Sequence, residues 1–396
     1  MKNYFNYKVN KEGSKQKGLF EISNMISQRE RAGEKVIHME IGRPDFDTPK
    51  AVKDRAIEAL DKGEVHYTEF NGIDELREAI SERERLKTGL KYDPINEIVV
   101  TTGASEGLYC IWNVFLNSDD EVMIPSPYYS AYISQLRYSG ANLVTVPVLK
   151  DGKIKYDIED FKARLTNNTK MILINSPHNP SGYVMTEEDL NTIAEFAIEN
   201  DLIVVSDECY DNFIFEGDFR SIATLPGMRE RTIIVNSSSK TFSMTGWRIG
   251  YVMGNKTFIT EIGKIHSQIS LCATSFAQSG AIEAYKNVYK EVEDMAKEFK
   301  LRRDYVANYL REIDSINFIE PKGAFYVFIN VGELGMSGYE FSERILKEKG
   351  IALAPGNAYG NEWKDYVRLA YTCSMSDIIE GMDLMKSFIT EVKSEV

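Results

Sequence analysis

KMILINSPHNPSGYVMTEEDLNTIAEFAIENDLIVVSDE (170–208) begins and ends in apolar runs and changes period between them. KMILIN (170–175) and LIVVSDE (202–208) are short, β-branched and apolar at consecutive positions, the pattern of strands covered on both faces. Between them, Leu190, Ile193, Ala194 and Ala197 recur at helical spacing, and Thr186 with Asp189 forms an N-cap pair opening a predicted helix over 186–200. Strand, helix, strand in this succession is a crossover between parallel neighbours. The same grammar extends outward through EIVVTT (97–102), EVMIP (121–125), RTIIVNS (231–237) and IGYVMG (249–254). The expected fold class is therefore α/β, with a mostly parallel, mixed central sheet and helices on both faces.

Beyond about residue 285 the pattern changes. A long charged helix over roughly 287–312 leads to GAFYVFINV, starting at Gly323, then another helix and YVRLAYT (366–372). That reads as a smaller α+β unit. The expected divisions are an N-terminal arm with part of the small unit at 1–47, a large unit at 48–286 and the small unit at 287–396.

Composition bounds the function. With 43% apolar and 27% charged residues over 396 positions, the chain can build a sizeable core and is neither disordered nor fibrous. Its 47 basic and 60 acidic residues leave a net charge of −13, which repels phosphate backbones, so no nucleic-acid partner is expected. Cys110, Cys209, Cys272 and Cys373 are scattered, as are the four histidines, so neither a disulfide framework nor a metal site is expected. No run approaches the roughly 20 apolar residues of a membrane helix. MKNYFNYKVNKEGSKQ has no apolar stretch after its lysines, which makes the cytoplasm the expected location.

Four strand ends carry candidate chemistry. NSSSKTFSMTGWRIG (236–250) holds Lys240, whose amine becomes a Schiff-base nucleophile if desolvated, with Ser237 and Arg248 able to grip a phosphate. SDECYDNF (206–213) puts Asp207 and Tyr210 where ligands of doubly wound sheets bind. NSPHNPSG (175–182) turns sharply and presents Asn179, and TTGASEGLY (101–109) opens a helix at Ala104 and Ser105, where free amides make an anion site. Singly, each is equally a turn, a cap or a packing residue. Together they supply what a phosphorylated pyridine aldehyde needs: an amine, a partner for the ring nitrogen, an amide and a phosphate cradle.

With these motifs in place, the sequence resembles the fold-type I pyridoxal-phosphate-dependent aminotransferases of class I/II, the aspartate/aromatic group. The resemblance runs from about residue 20 to the C-terminus. It also takes in IGRPDFDTP (41–49), HYTEFNGIDELREAI (66–80), PSPYYSAY (125–132), PKGAFYVF (321–328), APG (354–356) and YVRLAY (366–371). It implies pyridoxal 5'-phosphate as cofactor, Lys240 as its aldimine lysine and proton shuttle, and Asp207 as partner of the ring nitrogen. Tyr210 and Asn179 would bond the ring oxygen, and Tyr129 would stack on the ring. Ala104, Ser105, Ser237 and Arg248 would hold the phosphate. Arg368, with Asn179 and the backbone at Gly42, would fix the substrate's α-carboxylate. Tyr67 would reach the neighbouring subunit's cofactor, which implies a homodimer. His66, His178 and the aromatics of GAFYVF are expected to be structural.

The implied reaction passes an amino group from an L-amino acid to a 2-oxo acid by way of a pyridoxamine form of the cofactor. A lyase or synthase on the same scaffold is an alternative, and an aminotransferase-like regulator is a remote one. Ser105 stands where some aspartate-preferring relatives carry lysine. Gly18, Leu19, Phe20 and the aromatics near 128–132 suit a neutral or aromatic donor, with 2-oxoglutarate or pyruvate as acceptor.

Overall fold

The computed structural model describes residues 18–395; residues 1–17 of the expected N-terminal arm lie outside the described residues. Seven strands form the main sheet: β1 (Ile98–Thr101), β2 (Glu121–Ser126), β3 (Asn142–Pro147), β4 (Thr169–Asn175), β5 (Ile203–Asp207), β6 (Thr232–Ser237) and β7 (Gly250–Met253). They lie in the order β1-β7-β6-β5-β4-β2-β3. All neighbours pair parallel except β7, which runs antiparallel to β1 and β6.

Alternation along the central strands explains the helices on both faces. Met171 and Leu173 of β4 pack with Leu108 and Ile111 of helix α1 (Ala104–Phe115), while Ile172 and Ile174 pack with Leu190 and Ile193 of helix α2 (Glu187–Glu199). Burying each such side chain contributes about 1.5–3 kcal/mol, so a one-residue slip of the strand is strongly disfavoured. Helix α2 starts where its cap pair demands: Thr186 Oγ1 accepts from the Asp189 amide, and the Asp189 carboxylate accepts from the Thr186 amide. The edge strand β3 is half-exposed along most of its length, so it lacks the continuous apolar run that marks its neighbours.

The reversed strand β7 matters for the site. Gly250, its first residue, pairs with Thr101 and with Ser237, the last residues of β1 and β6. The chain entering β7 therefore lies at the sheet edge where the parallel strands leave.

A second, antiparallel sheet orders β8 (Asn317–Phe318), β9 (Tyr326–Asn330), β11 (Tyr366–Ala370) and β10 (Ala354–Pro355) as β8-β9-β11-β10. Helices α3 (Tyr289–Arg311) and α4 (Met375–Glu395) supply Phe299 and Met382 to its core. Ile37 and His38 pair in parallel with Ile351 and Ala352, which ties the N-terminal segment to this unit. None of the described helices is long and apolar enough to cross a membrane.

Candidate active site

Every residue singled out at the four strand ends lines one cavity of about 440 Å³ at the C-terminal edge of the main sheet: Ala104 and Ser105 after β1, Asn179 after β4, Asp207 and Tyr210 at β5, Ser237 and Lys240 at β6, and Arg248 before β7. Gly42, Tyr129 and Arg368 complete its wall, Arg368 arriving from β11 of the smaller sheet. Tyr67 does not line it and is 82% exposed.

Lys240 sits in the four-residue helical turn Ser238–Thr241, and its Nζ donates to the Gly42 carbonyl at 2.5 Å. Burial pushes the amine down to about 8, and the nearby guanidinium groups of Arg368 and Arg248 push the same way. A minor but appreciable fraction is then neutral near physiological pH, whereas a solvated lysine is almost wholly charged. Gly42 cannot carry a side chain: a Cβ there would lie 1.8 Å from Tyr326 Oη.

Asp207 Oδ2 accepts from Tyr132 Oη at 2.5 Å, and Oδ1 from the Cys209 amide at 3.1 Å. Burial lifts the Asp207 carboxyl above its ordinary value of 3.8, while both donors favour the ionised form. Tyr210 Oη lies 2.8 Å from Tyr326 Oη.

Arg368 is 6% exposed, yet no carboxylate among the described residues pairs with it. Its Nη1 donates to Asn179 Oδ1 at 3.0 Å and its Nη2 to the Glu40 carbonyl. The guanidinium lies 4.5 Å from the Tyr326 ring centre and 5.2 Å from that of Tyr359, and its Nε has no hydrogen-bond partner among the described residues. Arg248 adopts φ +58°, and its Nη1 donates to the Thr245 carbonyl at 3.0 Å. Gly103 (φ +79°) makes room for it, since a Cβ there would stand 2.5 Å from Arg248 Nη2. Beside that fork, the first amides of α1 have no intrahelical acceptor. Anions are recognised at such a junction.

The wall also holds residues to which the motifs assign no role, among them Glu40, Arg43, Tyr132, Cys209 and Tyr326. Tyr326 corrects the expectation that the aromatics of GAFYVF are structural, because it lines the cavity and reaches Tyr210 and Arg368. Alternation along β9 was the available signal, since it sends Tyr326 to one face and Phe325 and Val327 to the other. His178 is buried between Ser181 Oγ (2.6 Å) and the Pro127 carbonyl (2.9 Å), and burial pushes it down to about 4, a neutral turn residue. Leu19 borders an adjoining outer cavity with Tyr129, whereas Phe20 is 73% exposed and borders neither.

A protein-family model described as "Aminotransferase class I and II" matches residues 34–383. The chain belongs to that family. This aminotransferase is 40% identical over 361 residues to the aspartate aminotransferase of Pyrococcus abyssi, covering 90% of this chain and 92% of that one. It is 38% identical over 363 residues to aromatic-amino-acid aminotransferase 2 of Thermococcus litoralis, covering 91% and 93%. Among solved structures it superposes on the aromatic aminotransferase from Pyrococcus horikoshii with a TM-score of 0.88 at 40% identity, covering 93% and 99%. Relatives named for acidic and for aromatic substrates are thus similarly close, so overall likeness does not choose between them.

Proposed function

We propose that this aminotransferase carries an amino group from an L-amino acid to a 2-oxo acid, with pyridoxal 5'-phosphate held in the cavity at Lys240. One observation carries the reading: Lys240, Arg248 and Arg368 converge on a single cavity, and Arg368 is buried without a carboxylate partner among the described residues. An uncompensated buried guanidinium costs several kcal/mol, which arriving anions offset.

The residues present fit the cofactor. The Gly103 cradle, the amides of Ala104 and Ser105, the Ser237 hydroxyl and the Arg248 fork would hold the phosphate. Asp207 would face the ring nitrogen, Tyr210 and Asn179 the ring oxygen, and Tyr129 the ring face. Asn179 gives its Oδ1 to Arg368, which leaves its NH₂ group to donate. When bound, the cofactor supplies an electron sink for the carbanion formed at the substrate's α-carbon.

The chain's own groups do the rest. Arg368 clamps the α-carboxylate and so fixes which α-bond faces Lys240. The lowered basicity of Lys240 Nζ leaves it neutral enough to take the α-proton and return a proton when the reaction reverses. The Gly42 carbonyl keeps the amine pointed into the cavity. Asp207, held by Tyr132, supplies the fixed negative charge. The unit at 48–286 carries the cofactor, and that at 287–396 brings Arg368 to it.

A neutral or aromatic donor suits the walls at Leu19 and Tyr129, with 2-oxoglutarate or pyruvate as acceptor. The working unit is a homodimer, in which Tyr67 reaches the neighbouring cavity. The test is the absorbance spectrum of the cofactor-loaded protein before and after single amino acids are added. Loss of the visible band with stoichiometric 2-oxo acid and no ammonia supports transfer. Ammonia released with the band intact overturns it in favour of elimination.

A further inference from the structure

The charges in the cavity wall do not all find an occupant in the reading above. Its charged lining is Glu40, Arg43, Asp207, Lys240, Arg248 and Arg368. The cofactor's phosphate accounts for Arg248, its ring nitrogen for Asp207 and its aldehyde carbon for Lys240. The substrate's α-carboxylate accounts for Arg368. Glu40 is already engaged, because His38 Nδ1 lies 2.9 Å from its Oε1. Arg43 is left over.

Arg43 directly follows Gly42, whose carbonyl receives the Lys240 amine, so its backbone is held at the centre of the site. Its amide donates to the Ile41 carbonyl at 3.0 Å, which makes a tight turn over Gly42. Among the described residues its guanidinium has no ion pair and no hydrogen bond, although Asp45 stands two positions away. Asp45 is taken by Arg302, at 2.7 Å. Arg43 also borders the outer cavity, of about 840 Å³, and shares that border with Arg368 and Tyr129. A substrate anchored at Arg368 therefore extends its side chain along a wall that carries one unpaired guanidinium.

We infer that Arg43 is a specificity-determining residue that receives the distal carboxylate of a dicarboxylic substrate, such as 2-oxoglutarate or the amino acid it yields. The inference rests on the aminotransferase reading and deepens it. A guanidinium offers two parallel N–H donors to a carboxylate, a match that a monocarboxylic side chain cannot use. The site then takes a dicarboxylic acceptor through Arg43 and leaves the aromatic and aliphatic walls at Leu19 and Tyr129 to a neutral donor. One cavity serves both because a flexible, partly exposed arginine can turn toward solvent when the side chain is apolar.

The test compares wild type, R43Q and R43K, each loaded with cofactor and checked by its visible absorbance. The readout is kcat/KM for 2-oxoglutarate relative to pyruvate, with one amino donor throughout. The expected result is a fall in that ratio of about 10- to 100-fold in R43Q, carried by KM, with most of it recovered in R43K. Calorimetric titration with glutarate and with butyrate, neither of which can react, should show the same loss for glutarate alone. An unchanged ratio, equal losses with both acceptors, or a wild type that uses pyruvate but not 2-oxoglutarate overturns the assignment of Arg43. A wild type that loads cofactor but transfers from no donor overturns the aminotransferase reading itself, and does so before any variant is compared.

Discussion

Lys240 owes its chemistry to position. Its type was evident in the sequence, since an amine three residues past a buried strand and its serine is where a Schiff-base nucleophile belongs. Its basicity was not, because that depends on burial beside Arg248 and Arg368, residues 8 and 128 positions further along the chain. With the amine lowered to about 8, the rate at which the cofactor-free protein captures pyridoxal phosphate should rise with pH and level off above that value. Stopped-flow absorbance checks this, and a rate still climbing steeply at pH 10 would speak for a solvated lysine. Lys240→Ala should lower turnover by about 10²–10⁴-fold or more, since it removes the group proposed to move the proton. Tyr132 illustrates what sequence reading lacked. It donates to Asp207 across 75 positions, and no local pattern marks it as a partner of that carboxylate. Tyr132→Phe removes a donor from the ionised form, so the Asp207 carboxyl should rise further and the acid limb of the pH–activity profile should move to higher pH. An unmoved acid limb would deny Tyr132 this role.

Elements set the spacing between those residues. Helix α1 begins where Gly103 allows the chain to turn with positive φ and Arg248 to approach from the reversed strand β7. Gly103→Val should cost about 1–2 kcal/mol in backbone strain and push the guanidinium aside. Cofactor retained after dialysis should fall while far-ultraviolet circular dichroism stays near wild type; full retention would remove Arg248 from the phosphate cradle. Behind the site, Nη2 of Arg83, in the helix Asp74–Thr88, donates to both carboxylate oxygens of Asp211 (2.9 and 2.8 Å), Lys87 joins them at 2.8 Å, and Asn236 donates to the same carboxylate at 3.1 Å. Burial pulls the Asp211 carboxyl upward, but the two cations outweigh it and hold it below its ordinary 3.8. The unfolded chain therefore takes up the proton first as pH falls. The pair's contribution is present above pH 3.8 and is lost as pH drops through the lower folded value. Arg83→Met should destabilise by about 3–5 kcal/mol at neutral pH, and the variant's melting temperature should fall less steeply with acidification than that of wild type. Melting temperatures that fall in parallel as pH drops from about 4 to about 2 would show that the pair carries no such linkage. The strand ends themselves were legible as apolar runs followed by turn residues. The half-exposed edge strand β3 was not, because nothing buries both of its faces.

For the whole molecule, the proposed homodimer has an outward sign. Tyr67 is 82% exposed, Val65 53% and Phe70 46%, an apolar stretch that a second copy would cover. Sedimentation should give twice the chain mass. Co-expressing Tyr67→Ala with Lys240→Ala should form hybrids with one complete site and more activity than either parent; no gain on mixing would place Tyr67 outside the neighbouring cavity. The sequence by itself determined the fold class, because buried parallel strands and amphipathic helices have unlike periods that no other architecture reconciles. It also pointed to the residues that line the cavity at the strand ends, since the amine, acid, amide and phosphate partners proposed for the cofactor each need a particular residue type directly after a strand. Only the tertiary structure decided how those groups meet. Lys240 loses basicity through burial, Tyr326 joins the wall by alternation on a different sheet, and Arg368 faces the cavity with no carboxylate partner among the described residues. Among the described residues Arg43 is left unpaired because Asp45 turns away to Arg302, 257 residues further along. Each of these depends on distances between residues remote in the chain, and electrostatic energy follows those distances rather than separation in sequence.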